Sequence, residues 1–177
     1  MHKVFISMAV SLDGYIAADD GDLAWINDAM SPDEDYGFAE IAARTGAVVM
    51  GTTSYEEMLK TGFAAHETAP LFVVTHRTDL KKQREDVRFY SGDLGKLIAD
   101  TKSKTDKDIY VYGGGDVISQ CLAADVVDEI SLAIVPVLLG SGTTLFKQTK
   151  HGKHLKLVSN KKFKSGMVIL NYTFNTH

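Results

Sequence analysis

The sequence predicts an α/β fold: a mostly parallel sheet covered by helices, with antiparallel strands at one end. Three observations carry that expectation. Short apolar runs rich in β-branched and aromatic residues alternate with helix-patterned segments from the start of the chain to residue 123. Several of these runs are nearly continuous in apolar residues instead of alternating with polar ones, as strands buried on both faces are. The alternation then breaks, and two strand-like runs flank Ser165-Gly166, which is a hairpin pattern. A chain of 177 residues favours one domain with a sizeable core.

The first run, Val4-Phe5-Ile6-Ser7-Met8-Ala9-Val10, reads as a strand buried on both faces, and Asp13-Gly14 turns the chain after it. Tyr15-Ile16-Ala17 leads into a long irregular segment that includes Asp19-Asp20-Gly21-Asp22 and Leu23-Ala24-Trp25-Ile26. A helix is expected from Ser31-Pro32, a capping serine before a proline at the first helical position, to a stop at Gly46. Ala47-Val48-Val49-Met50 is a short buried strand. Thr53 and Glu56 behind it have capping-box spacing for a second helix. Leu71-Phe72-Val73-Val74-Thr75 is another buried strand, Val87-Arg88-Phe89-Tyr90 a weaker one, and residues 93–102 a helix capped by Asp93.

The most informative stretch is Ile109-Tyr110-Val111-Tyr112-Gly113-Gly114-Gly115-Asp116-Val117-Ile118. Four β-formers run into three glycines, and Val117, Ile118, Cys121 and Leu122 follow at helical spacing as one apolar stripe. Bare glycine amides at a helix N-terminus suit a phosphate, and equally suit a tight turn with no ligand. The G-x-G-x-x-G fingerprint is not met, because Ile118 stands where its third glycine would be. Asp116 stabilises a helix start but competes with a bound phosphate. A strand over residues 126–135, a loop over 136–148 and the terminal hairpin complete the chain.

Two other strand ends share this character. Gly51-Thr52-Thr53-Ser54 offers hydroxyls and a helix start, and Thr75-His76-Arg77 a hydroxyl, an imidazole and a guanidinium that forks onto phosphate. Ligands of open α/β sheets bind beyond the carboxyl ends of the parallel strands. Three such ends on one edge point to a dinucleotide, with Arg77 or His76 at a 2′-phosphate. Each also has a purely structural reading as cap, strand end or turn.

The totals exclude more than they select. A net charge of −4 gives no nucleic-acid footprint. Cys121, the single cysteine, permits no internal disulfide or cysteine-rich zinc site, and its place on the apolar stripe assigns it to the core. His151 and His154 show no metal-ligand pattern and read as surface residues, so no metal is expected. No apolar run reaches membrane-spanning length, and the first ten residues make a poor signal sequence; the cytoplasm is the expected compartment.

Val48-Val49-Met50-Gly51-Thr52-Thr53-Ser54-Tyr55-Glu56 resembles the second-strand segment of dihydrofolate reductases, and Tyr112-Gly113-Gly114-Gly115 resembles the glycine motif of that fold. Ser11-Leu12-Asp13-Gly14-Tyr15-Ile16-Ala17, Pro136-Val137-Leu138-Leu139-Gly140-Ser141-Gly142 and Leu145-Phe146 look more like a sister group. That group is the C-terminal reductase domain of the bifunctional riboflavin-biosynthesis deaminase-reductase, with its stand-alone relatives. The resemblance spans nearly the whole chain and implies a single dihydrofolate reductase-like three-layer sandwich, NADPH as cofactor, hydride transfer and a homodimer. It places Gly51, Thr52, Thr53, Ser54, Thr75, His76 and Arg77 at the adenosine-side phosphates. Gly113, Gly114, Gly115, Asp116, Val117 and Ile118 fall at the pyrophosphate, and Ala9 and Ile16 at the nicotinamide. It also implies a cis Gly113–Gly114 peptide.

The chain departs from these families in places. No arginine lies between Arg44 and Arg77 to hold a folate glutamate tail, and one cysteine cannot ligate the zinc of a fused deaminase. The segment from Val4 to Ala43, which the resemblance puts on the substrate side, has no lysine or arginine but nine acidic residues: Asp13, Asp19, Asp20, Asp22, Asp28, Asp33, Glu34, Asp35 and Glu40. An acidic wall would favour a neutral or cationic pyrimidine- or pterin-like guest over a phosphate, while the same carboxylates read equally well as a solvated surface. Asp35, at the helix position of the reductase pocket carboxylate, is the candidate catalytic acid. Trp25 and Tyr36 are candidates to cover a planar substrate, with core packing the stronger reading for each. The expected function is an NADPH-dependent reductase of a small heterocyclic or carbonyl compound, the nearest named activity being 5-amino-6-(5-phosphoribosylamino)uracil reductase. The alternatives are an NADP-binding protein without turnover and a dihydrofolate reductase.

Overall fold

A computed structural model describes residues 2–62, 69–147 and 152–174. Its strands are β1 (Val4–Ser11), β2 (Tyr15–Ala17), β3 (Thr45–Gly51), β4 (Leu71–Val74), β5 (Val87–Tyr90), β6 (Asp108–Gly113), β7 (Glu129–Val135), β8 (Thr143–Thr144), β9 (Leu155–Lys162) and β10 (Val168–Phe174). Its helices are α1 (Ala24–Asp28), α2 (Phe38–Arg44), α3 (Thr52–Thr61), α4 (Leu94–Lys102) and α5 (Gly115–Ala123). Eight strands form one sheet in the order β5-β4-β3-β6-β1-β7-β10-β9, and β2 with β8 makes a separate ribbon. The first six are parallel, and β10 runs antiparallel to both β7 and β9.

Alternation along the strands sorts side chains into layers. Val4, Ile6 and Val10 of β1, Val49 of β3 and Ile109 and Val111 of β6 pack with α4 and α5, where Val117, Ile118, Cys121 and Leu122 form the expected stripe. Burial pushes the Cys121 thiol up to about 12, so it packs as a small apolar group. Val48, Met50, Leu71 and Val73 face Tyr55 and Met58 of α3 on the other side. Farther along that side, Tyr36, Phe163, Met167 and Ile169 gather with Trp25, Ala29 and Met30 under the segment holding α1 and α2. Helices thus cover both faces of the sheet, as a three-layer sandwich requires.

Four local expectations are corrected. No helix starts at Ser31-Pro32: the Asp35 carboxylate accepts the amides of Gly37 (3.0 Å) and Phe38 (2.9 Å), Gly37 takes φ +93°, and α2 begins only at Phe38. Gly46 is no helix stop but lies in β3, where a Cβ would come within 2.1 Å of Thr105 Oγ1. Thr53 and Glu56 form no capping box, because α3 is capped by Gly51 without a side-chain bond and Glu56 pairs with Arg77. The strand expected from residue 126 begins at Glu129, since Asp128 turns back to accept the Val4 amide at 2.7 Å. Asp93 does cap α4, accepting the Lys96 amide at 2.8 Å.

Candidate active site

Pairing in register brings the strand ends to one rim. Gly51 stands opposite Val74, Met50 opposite Gly113, and Val74 opposite Tyr90. The residues just beyond, Thr52, Thr75, Ser91 and Gly114, therefore face a common space. That space is a cleft of about 980 Å³ that continues across the sheet face beneath α1 and α2.

One wall is polar. Gly51, Thr52, Thr53, Ser54, Thr75, His76, Arg77, Gly114, Gly115, Asp116 and Val117, all anticipated, line the cleft. Helices α3 and α5 both open onto it, and neither start carries a side-chain cap, so their first amides and positive dipole ends are presented there. Gly113–Gly114 is cis. The glycines also let the layers approach: a Cβ on Gly51 would lie 3.3 Å from Val117 Cγ2, and one on Gly115 3.1 Å from the Thr144 carbonyl.

Arg77 is not free at this wall. Its Nε and Nη2 donate to the two oxygens of Asp79 (3.0 and 2.7 Å), and Nη1 donates to Glu56 at 2.7 Å. These partners, Asp79 foremost, raise the guanidinium above its ordinary range, and Arg77 in turn lowers Asp79. The Arg77 amide donates to Thr75 Oγ1 at 3.0 Å, which fixes the bend beyond β4.

The other wall is apolar. Ile26, Met30, Phe38, Ile41, Met167 and Ile169 line it, with Ala9 and Ala133 on the floor and Tyr36 at the side. Phe5 and Tyr110 stack with centroids 4.9 Å apart, and Tyr112 meets Tyr110 edge-on at 5.6 Å. The Tyr110 hydroxyl donates to the Ser7 carbonyl at 2.9 Å, and burial raises both tyrosines so that they stay neutral. Ile16 reaches the cleft from β2, bordering Gly115.

Of the remaining candidates, Tyr36 stands at the side of the cleft and the others fall elsewhere. Ile118 is wholly buried beneath the glycine turn, and Gly113 is buried in β6. Trp25 packs into the cluster under α1, and its Nε1 is buried without an acceptor among the described residues. The Tyr36 ring lies 4.5 Å from Phe163, and its hydroxyl accepts the Ser31 amide at 2.8 Å. Asp35, expected to face substrate, is exposed; it borders a smaller hollow of about 230 Å³ on the far side of Tyr36 and spends its carboxylate on the start of α2. His154 is exposed, while His151 lies outside the described residues. Among the described residues no group of three or more His, Cys, Asp or Glu could hold a metal, and no helix is long and apolar enough to cross a membrane.

The acidic wall is overturned as well. None of the nine carboxylates between Val4 and Ala43 lines the large cleft. Asp13 accepts the amides of Leu139 (3.1 Å) and Gly140 (2.7 Å), Asp20 that of Asp22 (2.9 Å) and Asp22 that of Ala24 (3.1 Å), while Asp19 takes the Ser141 hydroxyl. They tie loops together. Conversely, Ser7, Ser91, Gly92, Tyr110, Tyr112, Ser131 and Lys147 line the cleft without having been singled out for it. Ser91 and Gly92 were within reach of the strand-end rule, since they follow an anticipated strand.

Comparison with known proteins bears out the architecture. The chain is 29% identical over 162 residues to YwjB of Bacillus subtilis strain 168, covering 91% of this chain and 92% of that protein. It superposes with a TM-score of 0.90 and 28% identity on a crystal structure of a candidate riboflavin biosynthesis protein from Shewanella sp. PV-4, covering 98% and 99% of the two chains. It also superposes on Enterococcus faecalis dihydrofolate reductase complexed with NADP(H) and RAB-propyl, with a TM-score of 0.70, 16% identity and coverage of 98% and 97%. At that identity the likeness is one of fold, which is dihydrofolate reductase-like. Residues 52–169, from the start of α3 into β10, match the RibD C-terminal domain, and this chain belongs to that family.

Proposed function

We propose that the chain is an NADPH-dependent reductase that transfers a hydride to a small heterocyclic, pyrimidine- or pterin-like, or carbonyl substrate. One observation carries the reading: three strand ends and two uncapped helix starts meet on one wall of a cleft whose other wall is apolar. The donors fit a dinucleotide. Glycines leave backbone amides bare, hydroxyls flank them, and the space is large enough for an extended ligand.

In this reading Gly51, Thr52, Thr53, Ser54, Thr75, His76 and Arg77 hold the adenosine-side phosphates. Gly114, Gly115 and Val117, with the backbone amide of Asp116, hold the pyrophosphate through the start of α5, buried Gly113 and Ile118 seat the turn and the helix behind them, and Ala9 and Ile16 border the nicotinamide. Bound there, the cofactor supplies a hydride to an electrophilic carbon. The chain's own apolar wall excludes water and confines a planar ring over Ala9 and Ala133, while Ser7 and Ser131 offer hydroxyls to orient it.

The substrate proposed is uncharged on the side that enters. Among the described lining residues the only lysine and arginine are Lys147 and Arg77, both at the nucleotide wall. A substrate phosphate would meet no cation on the apolar wall. Calorimetric titration with NADPH and NADH, followed by NADPH oxidation with pyrimidines, pterins including dihydrofolate, and aldehydes, tests the proposal. Uptake of neither dinucleotide would end it. A binding protein without turnover is the second reading, favoured by one observation: among the described residues no aspartate or glutamate lines the apolar wall to deliver a proton. NADPH binding without oxidation across the panel would select it. The expected homodimer goes with either reading, and sedimentation measures it.

A further inference from the structure

The start of α5 poses a charge problem. If a pyrophosphate sits there, Asp116 in the first helical turn opposes it, and no lysine or arginine lies in the glycine loop or on α5. The structure answers with a residue from another segment. Lys147 lines the cleft and forms an ion pair with Asp116, so the carboxylate is already neutralised at the place where the anion would bind.

The ribbon of β2 and β8 fixes this approach. Tyr15 pairs with Thr144 and Ala17 with Thr143, and the Leu145 amide donates to the Gly14 carbonyl at 3.2 Å. Leu145 is wholly buried in the cluster that includes Val117 and Ile118. The carbonyls of Thr144 and Leu145 come to 3.1 and 3.5 Å from the position of a Cβ on Gly115, a contact that only glycine accepts without displacement. The chain leaves this anchor two residues before Lys147. The ammonium is thus delivered beside the helix start on a flexible four-carbon stem, half exposed and able to turn from Asp116 to a bound anion.

We infer that Lys147 is a dinucleotide-binding residue whose ammonium passes from Asp116 to the cofactor's pyrophosphate on binding. The inference rests on the dinucleotide reading of the cleft and assigns it a ligand from outside the glycine motif. Because NADH and NADPH share the pyrophosphate, Lys147 serves both, unlike Arg77. Asp116 is its competitor, holding the lysine in the free protein and opposing the phosphates.

The two partners should therefore act in opposite directions. In calorimetric titrations of the full chain, Lys147→Met should weaken NADPH and NADH alike, by about fivefold to tenfold for one half-exposed charge-assisted contact. Lys147→Arg should restore most of the loss. Asp116→Asn should tighten both by about threefold. Circular dichroism and melting of each variant confirm the fold. If Lys147→Met and Asp116→Asn shift affinity in the same direction, the pair is a structural staple and the inference fails. Unchanged affinity in Lys147→Met also refutes it, and a loss confined to NADPH moves Lys147 to the 2′-phosphate instead. Wild-type protein that binds neither nucleotide would refute the cleft reading itself, an outcome distinct from tight wild-type binding with indifferent variants.

Discussion

The two ends of the parallel sheet handle charge in opposite ways. At the amino ends of the strands the charges are closed on one another. Arg44 reaches Asp108 and Glu129, each with its carboxylate about four-fifths covered, and its guanidinium lies 4.2 Å above the Phe5 ring. Lys3 pairs with Glu129, and its amide donates to Asp108 at 2.7 Å. At the carboxyl ends the amides of α3 and α5 are free of side-chain caps, and the cations Arg77 and Lys147 are half exposed and held by exposed carboxylates. Nothing in the fold requires this asymmetry, because helix starts can be capped by a serine or an aspartate, as Asp93 caps α4. An end tied by partly buried pairs stabilises the sheet; an end left open binds something.

Substitution of a cation at each end should separate the two roles. Arg44→Met removes the centre of the closed cluster and strands two partly covered carboxylates. It should cost about 2 kcal/mol, below the ~3–5 of a fully buried pair, and lower the melting temperature by roughly 4–8 °C. Dinucleotide affinity should not change, since Arg44 is far along the strands from the rim. A loss of binding with no loss of stability would invert the comparison. Arg77→Ala should do the reverse: melting within about 1 °C of wild type, and NADPH weakened about tenfold while NADH is nearly untouched. The effect is kept modest because Asp79 and Glu56 must first release the guanidinium. Equal losses for the two nucleotides would show that Arg77 does not read the 2′-phosphate.

The same contrast marks how much could be read from the chain. Apolar periodicity exposed the central strands and the stripe of α5, because burial of those side chains is what forms the elements; the terminal hairpin was legible from its turn instead, since β9 is exposed along its whole length. The open rim was legible too: glycines and hydroxyls at strand ends are local signals. What escaped was set by direction and distance. Counting carboxylates from Val4 to Ala43 could not show that Asp20 and Asp22 turn into their own loop while Asp13 and Asp19 reach across to residues 139–141. Ser31-Pro32 carries a helix-start signal, yet Asp35 and Gly37 build a turn that moves the start to Phe38. Asp116 was recognisable as an obstacle to phosphate, but its partner stands 31 residues away, just beyond β8.

Asp35 itself offers a smaller test of what lies inside the cleft and what lies outside. Asparagine preserves the oxygen that accepts the amides of Gly37 and Phe38, and caps helices as well as aspartate does. Asp35→Asn should keep both turnover and melting temperature. Asp35→Ala should lose about 1 kcal/mol from the unsatisfied start of α2, with any change in activity following the loss of structure. A collapse of turnover in the asparagine variant, with stability intact, would return Asp35 to the chemistry.

Acid provides the finest comparison, because it acts on the closed end through Glu129. Burial pushes this carboxyl up, but the hydrogen bonds and charges of Lys3 and Arg44 outweigh burial and leave it below its ordinary value. A group whose pKa is lower in the folded state stabilises the fold above its unfolded value of about 4.3, and that stability is lost as pH falls through the folded value. Asp86, lowered chiefly by Arg84, works in the same direction. Denaturant midpoints should therefore be level near neutrality and decline below about pH 4.5. The decline should be shallower in Arg44→Met, where Glu129 has lost one of its two cations and Asp86 remains. Equal slopes in the two proteins would mean that the closed end contributes nothing to acid stability, and that its pairs, like those at the rim, are interactions of the surface.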